Sequence, residues 1–175
     1  MPSAYDQSQG ELSDAEQNSS PSSNLGKPIM SATFTTALTD DHRRCDRLLA
    51  LVEQAADGGD WATVGAEAAS FREAMERHFR YEEEVLFPAL EARAPMASGP
   101  TGVMRMEHTQ MRHMLADLSA AVAGHSADDC LGVLETLHLI TQQHNAKEEG
   151  ILYPMADNAL AGEAAGLLAG FAPAP

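Results

Sequence analysis

With 175 residues, the chain can build one domain with a substantial core and is short for two. Apolar residues make up 44% and aromatics only 5%, a balance carried by Ala, Leu and Met that favours close helix packing, so an all-α fold is expected. A formal net charge of -15 repels phosphate backbones and anionic headgroups, which argues against nucleic acid and membrane as partners.

Residues 1–31 are polar, include Ser-Ser-Pro-Ser-Ser and cannot bury enough surface to offset ordering, so a disordered N-terminal tail is expected there. No apolar run in it resembles a signal sequence, and no later stretch reaches bilayer length, so the expected location is the cytoplasm. Cys45 and Cys130 are too few for a disulfide framework and are read as reduced thiols. The bundle itself is expected over 32–160, with an Ala/Gly/Pro-rich tail over 161–175 in which residues up to Phe171 could add a short helix.

The first helix is predicted from Thr35 to Ala56, with Leu38, His42, Cys45, Leu49 and Val52 on one stripe and Gly58-Gly59 ending it. Asp60 suits the N-cap of a second helix whose inner face carries Val64, Phe71, Met75, His78 and Glu82, and Pro88 should stop or bend it. Pro95, Gly99 and Pro100 mark a turn; a third helix follows from Gly102 to Val122, presenting Met104, His108, Met111 and Leu115, closed by Gly124. Ser126 or Asp128 can cap the fourth, whose inner stripe is Leu134, Leu137, Thr141, His144, Glu148 and Leu152, ending against Pro154. Four long helices with short connections predict an antiparallel up-down four-helix bundle.

The chain also resembles itself when shifted by 66 residues: His42 maps on His108, His78 on His144 and Glu82 on Glu148, within the strings HFRYEEEVLFP and HNAKEEGILYP. Two copies of a helical hairpin packed face to face create a pseudo-two-fold axis, and equivalent residues from both copies then converge on the core. Residues four apart on a helix lie about 40 degrees apart around its axis, so His78 and Glu82 point the same way, as do His144 and Glu148. A lone His-x3-Glu is usually a surface pair, but here each copy lies on the apolar stripe, where burial is costly without a bound cation. The six residues His42, His78, Glu82, His108, His144 and Glu148 are therefore read as ligands of two metals, with the glutamates bridging. Imidazole and carboxylate without thiolate suit iron or manganese better than a closed structural zinc site.

These residues, H, HxxxE, H, HxxxE on four successive helices with Leu-Phe-Pro and Leu-Tyr-Pro endings, resemble the hemerythrin-like (HHE cation-binding) family over about residues 35–156, in its bacterial form. The resemblance implies a four-helix bundle holding two non-haem iron ions, oxo- or hydroxo-bridged, with manganese or zinc as lesser alternatives. Oxygen-carrying hemerythrins place H-x3-H on the third helix and H-x4-D on the fourth; here the residue four after His108 is Arg112, and the fourth helix uses Glu148 in H-x3-E. The implied activity is thus on hydrogen peroxide, nitric oxide or dioxygen, in protection against oxidative or nitrosative stress, with an unidentified electron donor and a monomer or homodimer as the working unit. A sensor of oxygen, nitric oxide or iron, or an iron-handling protein without turnover, is the alternative.

Tyr81 lies about 60 degrees from His78 on the helical wheel and is the candidate catalytic side chain, as proton donor, radical quencher or ligand; an ordinary interhelical tyrosine is the competing reading. Glu83 and Glu149 could support the histidines from outside or simply be solvated acids. Cys45 is read as a small apolar core residue, and His113, His125 and His138 as surface or capping residues.

Overall fold

The computed structural model describes residues 33–171, which are almost entirely helical and contain no strand; the expected tail over 1–31 lies outside them. Helix α1 spans Phe34–Gly58, α2 Trp61–Tyr81, α3 Phe87–Arg93, α4 Ser98–Ala123, α5 Ala127–Lys147, α6 Tyr153–Ala159 and α7 Ala164–Leu168. Alpha-helical α2 and α3 form one continuous rod through a π-helical stretch, Glu82–Leu86, and α5 and α6 do the same through Glu148–Leu152. α1 packs on α2 and α5, and α4 packs on the same two, so four rods close an up-down bundle with each touching two neighbours. Among the described residues no helix is long and apolar enough to cross a membrane.

Local chemistry sets these boundaries. Thr33 caps α1 by accepting from the Thr36 amide, and the Phe34 amide donates to Asp157 Oδ1 at 2.6 Å, which ties the start of α1 to α6. Gly59, at φ +70, takes the left-handed conformation that ends α1. Asp60 caps α2 and Ser126 caps α5, each accepting from an amide three residues on. At the end of α4 it is His125, at φ 52, rather than the expected Gly124, that turns left-handed, and its ring stacks on Trp61 at 5.0 Å.

The prolines act differently from the expected stop. A proline ring clashes with the carbonyl four residues back and brings no N–H, so the ladder ahead of Pro88 and Pro154 shifts to five-residue spacing: the Phe87 amide donates to Glu82 O, and the Tyr153 amide to Glu148 O. Both rods continue, with their angular phase changed at the glutamates. Pro100 is likewise absorbed into the first turns of α4, which starts earlier than predicted, and the turn is reduced to Pro95–Ala97.

Two apolar clusters fill the bundle. One gathers Leu49, Val52, Phe71, Met111, Leu115 and Leu134 toward the hairpin ends; the other gathers Phe34, Leu38, Leu86, Phe87, Leu90 and Leu152. On each rod the histidine falls between residues of the two, as His42 between Leu38 and Cys45 and His108 between Met104 and Met111. A polar layer is thereby sealed between two dry ones. The segment after Leu160 folds back as α7, and Phe171 packs against Tyr81 with ring centroids 4.5 Å apart.

Candidate metal centre

His42, His78, Glu82, His108, His144 and Glu148 all lie in that polar layer, none more than 4% exposed. Each imidazole turns Nδ1 outward onto a carboxylate: His42 to Glu149 at 2.8 Å, His78 to Asp41 at 3.0 Å, His108 to Glu83 at 2.8 Å and His144 to Glu107 at 2.8 Å. An ionised carboxylate only accepts, so these bonds fix one proton on Nδ1 and aim every Nε2 inward, where its lone pair can take a metal or a second proton. The lone pairs meet in two couples, His42 with His78 and His108 with His144, each at 3.1 Å.

The two glutamates join the couples. Glu148 sits 3.2 Å from His42 Nε2 through one oxygen and 3.1 Å from His144 Nε2 through the other. Glu82 Oε2 lies 3.4 Å from His78 Nε2 and 3.3 Å from His108 Nε2. Glu82 Oε2 and Glu148 Oε1 are buried without a hydrogen-bond partner among the described residues. Nitrogen lone pairs facing carboxylate oxygens in a dry layer repel one another unless positive charge lies between them. Donor separations near 3 Å are also those of adjacent ligands on one ion with bonds of about 2.1 Å. Two groups are close enough to share an ion, His42, His78 and Glu148 on one side and Glu82, His108, His144 and Glu148 on the other. This donor set fits a pair of cations.

Residues 33–156 match the hemerythrin HHE cation binding domain. The chain belongs to the hemerythrin HHE family. It is a metal-binding helical bundle, and iron is the metal typical of the family. Comparisons with curated proteins and with solved structures return no match.

Beyond the six donors, this hemerythrin domain brings in residues that the sequence pattern does not reveal. The phenol at the centre is Tyr153, not Tyr81. Its fully buried hydroxyl donates to Glu82 Oε1 at 2.8 Å or Glu148 Oε2 at 2.9 Å and stands 3.0 and 3.4 Å from Nε2 of His42 and His78. On an ideal α-helix Tyr153 would lie about 140 degrees from Glu148, facing away; the proline-induced π turn carries it round to the same face. Tyr81 faces Phe171 instead, and its hydroxyl has no hydrogen-bond partner among the described residues. The repeat mate of Tyr153 is Phe87, which stacks on His108 with centroids 6.0 Å apart and offers no polar atom.

The carboxylates behind the histidines are themselves held. Arg44 pairs with Asp41 at 2.7 Å, Lys147 pairs with Glu107, and Arg112 forks onto Glu83 at 2.9 and 3.0 Å while also holding Glu76. Arg112 therefore points away from the metal positions. Burial opposes ionisation of Asp41, Glu83 and Glu107, yet these cations and histidines keep each below its ordinary carboxylate range. In the sequence Asp41 and Glu107 are only acids that precede His42 and His108 at matching repeat positions, whereas their bonds run to the next helix.

In the metal-free protein, protons compete for the same lone pairs. Burial works against a charged His144, but Glu148, with Glu82 and Glu107, raises it to about 9. His42 is raised in the same way, against burial, chiefly by Glu148. Glu148 is held well below its usual range despite complete burial, first by His144. Tyr153 is pushed well above the usual phenol range, by burial first and then by the Glu148 and Glu82 charges.

Cys45 is buried one helical turn from His42, and burial, with Asp41 nearby, pushes its thiol up to about 12, so it behaves as an apolar core residue. Cys130 is also a buried free thiol. His113, His125 and His138 are exposed, away from the centre.

Proposed function

We propose that the chain holds two non-haem irons on His42, His78, Glu82, His108, His144 and Glu148 and consumes hydrogen peroxide, with nitric oxide and dioxygen as the related small molecules such a pair accepts. The observation that carries this reading is the unequal surroundings of the two positions. The protonated Tyr153 hydroxyl crowds the position that His42, His78 and Glu148 would hold, whereas His108 and His144 share the glutamates opposite an apolar Phe87. The second position is the more open one, and the small molecule is placed there.

An iron pair supplies reversible one-electron steps and vacant coordination positions. The chain's own residues do the rest. Glu82 and Glu148 span both positions, the outer carboxylates fix the imidazoles' tautomers, and the apolar layers exclude bulk water. Tyr153 holds a proton at its hydroxyl between the two carboxylates, ready to be passed toward an oxygen atom. An unidentified reductant would restore the ferrous state.

Anaerobic iron reconstitution followed by peroxide turnover tests the reading. About two irons per chain are expected, with peroxide decomposed faster than by the same amount of free iron. Saturable binding of oxygen or nitric oxide without any turnover would replace the enzyme with a sensor or an iron-handling protein.

A further inference from the structure

A second polar site lies on the outer side of α2, one residue away from two of the metal donors. Arg77 precedes His78 and Tyr81 precedes Glu82, and both turn outward under Phe171. Arg77 Nε and Nη2 and the Tyr81 hydroxyl are all buried, and none has a hydrogen-bond partner among the described residues. Nε and Nη2 form the edge of a guanidinium that takes two oxygens of one carboxylate or phosphate side-on. Buried donors without acceptors are rare, and several together call for a missing partner.

The three donors belong to residues lining one cavity of about 190 Å³, with Arg80 and Phe171 also in its wall and the exposed Glu84 at its rim. That volume is below the roughly 300 Å³ of drug-sized pockets, so it suits a small ion rather than a nucleotide. Across the Phe171 ring a further cavity of about 350 Å³ is lined by Arg44 and Arg47 together with Asp40 and Asp41. In a chain with 26 acidic and 11 basic residues, four arginines against Asp40, Asp41 and Glu84 around one aromatic ring are a local excess of basic over acidic side chains, although Arg44 is itself paired with Asp41.

We propose that the cavity under Phe171 is an oxyanion-binding site, in which a small carboxylate or phosphate bridges Arg77 Nε and Nη2, accepts from the Tyr81 hydroxyl and is approached from the rim by Arg80. A water molecule has two lone pairs for three donors and would leave its own hydrogens to be placed; an oxyanion matches the set. The bound ion ties α2 to the C-terminal turn. It also lies behind the Phe171 ring, whose edge meets His78 with centroids 6.4 Å apart.

Calorimetric titration of the metal-loaded full chain at constant ionic strength, with inorganic phosphate in one arm and acetate in the other, tests the site. Saturable binding of one ion per chain is expected in at least one arm, and the arm that binds identifies the tetrahedral or the planar ligand. Arg77→Gln should weaken it at least tenfold, Tyr81→Phe by less, and Arg72→Gln, an exposed arginine on the same helix outside the cavity, not at all. In the wild-type protein the Arg77 Nε–H resonance should move during the titration, which needs no variant to fold. Absorption of the metal centre is followed throughout, because phosphate seated on the metals would alter it and would bind Arg77→Gln unchanged. Equal affinity in Arg77→Gln and wild type, or no saturable binding in either arm, overturns the proposal.

Discussion

The two hairpins of the bundle, Phe34–Arg93 and Ser98–Ala159, carry the same plan of two histidines, one inner glutamate, two outer acids and a closing proline, and they part company at one place in the last turn. There the second hairpin presents Tyr153 to His42 and His78, while the first presents Phe87 to His108. Outside the centre they differ again, since Arg112 clamps Glu83 whereas its repeat mate is Asp46, an acid that accepts from Gln142, and among the described residues Glu149 is held by His42 alone. Duplication thus explains why six donors converge. Divergence makes their surroundings unequal, with a phenol beside His42 and His78 and a phenyl ring beside His108.

The severest break in the comparison removes what the two halves share. Glu148 belongs to both donor groups, so Glu148→Ala should reduce iron from about two per chain to below one and abolish the near-ultraviolet charge-transfer bands, as read by elemental analysis and absorption. Retention of both irons would show that the carboxylate does not bridge. Next comes an exchange of the divergent pair. Tyr153→Phe should keep iron but slow peroxide turnover by about a hundredfold, the scale of losing a positioned proton donor. Phe87→Tyr should close the open position, lowering turnover with iron retained; unchanged turnover in this variant would refute the assignment of the open side.

The outer acids sharpen the comparison further. Asp41→Asn and Glu107→Gln each remove the acceptor that fixes a histidine's tautomer, and losses of metal affinity of about 10–100-fold are expected for such partners. Asp41 has a side chain 2% exposed against 20% for Glu107, so the first variant should be the more damaging in a competition with a chelator.

How far these features could be read in advance depended on whether they obey ideal helical spacing. His42, His78, Glu82, His108, His144 and Glu148 sit at steps of three and four on apolar stripes, and the 66-residue repeat pairs them, so a wheel brings them to one face. Tyr153 escapes the wheel because Pro154 expands the preceding turn, and the same wheel credits Tyr81 with a position that packing against Phe171 takes away. The bonds from Asp41 to His78 and from Glu107 to His144 cross between helices, where only the three-dimensional register decides who meets whom.

Proton and metal occupancy should respond to pH in opposite senses. Without metal, His144 in the folded protein titrates at about 9, above its ordinary 6.5, so the stability it contributes is complete below about pH 6.5 and vanishes as pH rises through about 9. Metal requires deprotonated imidazole, so its stabilisation grows over the same range. Melting of the chelator-treated protein should therefore occur at falling temperature from pH 6.5 to 9 while the metal-loaded form holds, and the gap between them should widen. A gap that narrows with rising pH would mean that the metal does not replace protons on these nitrogens.

The smallest effect tests the hairpins where they remain equal. Asp60 and Ser126 occupy matching positions in the repeat, and each accepts from the amide three residues later at the start of its helix. Ser126→Ala should cost about 1 kcal/mol in denaturant unfolding, and Asp60→Ala should lower stability as well. The two caps share no hydrogen-bond partner, but Trp61 and His125 beside them stack at 5.0 Å, so a departure from additivity of more than about 0.5 kcal/mol in the double variant measures the coupling through that stack. Iron content should stay at the wild-type level throughout, because both caps lie at the end of the bundle opposite the glutamates and prolines. Loss of iron from either cap variant would mean that the donor layer depends on the whole length of its helices rather than on the two apolar layers that enclose it.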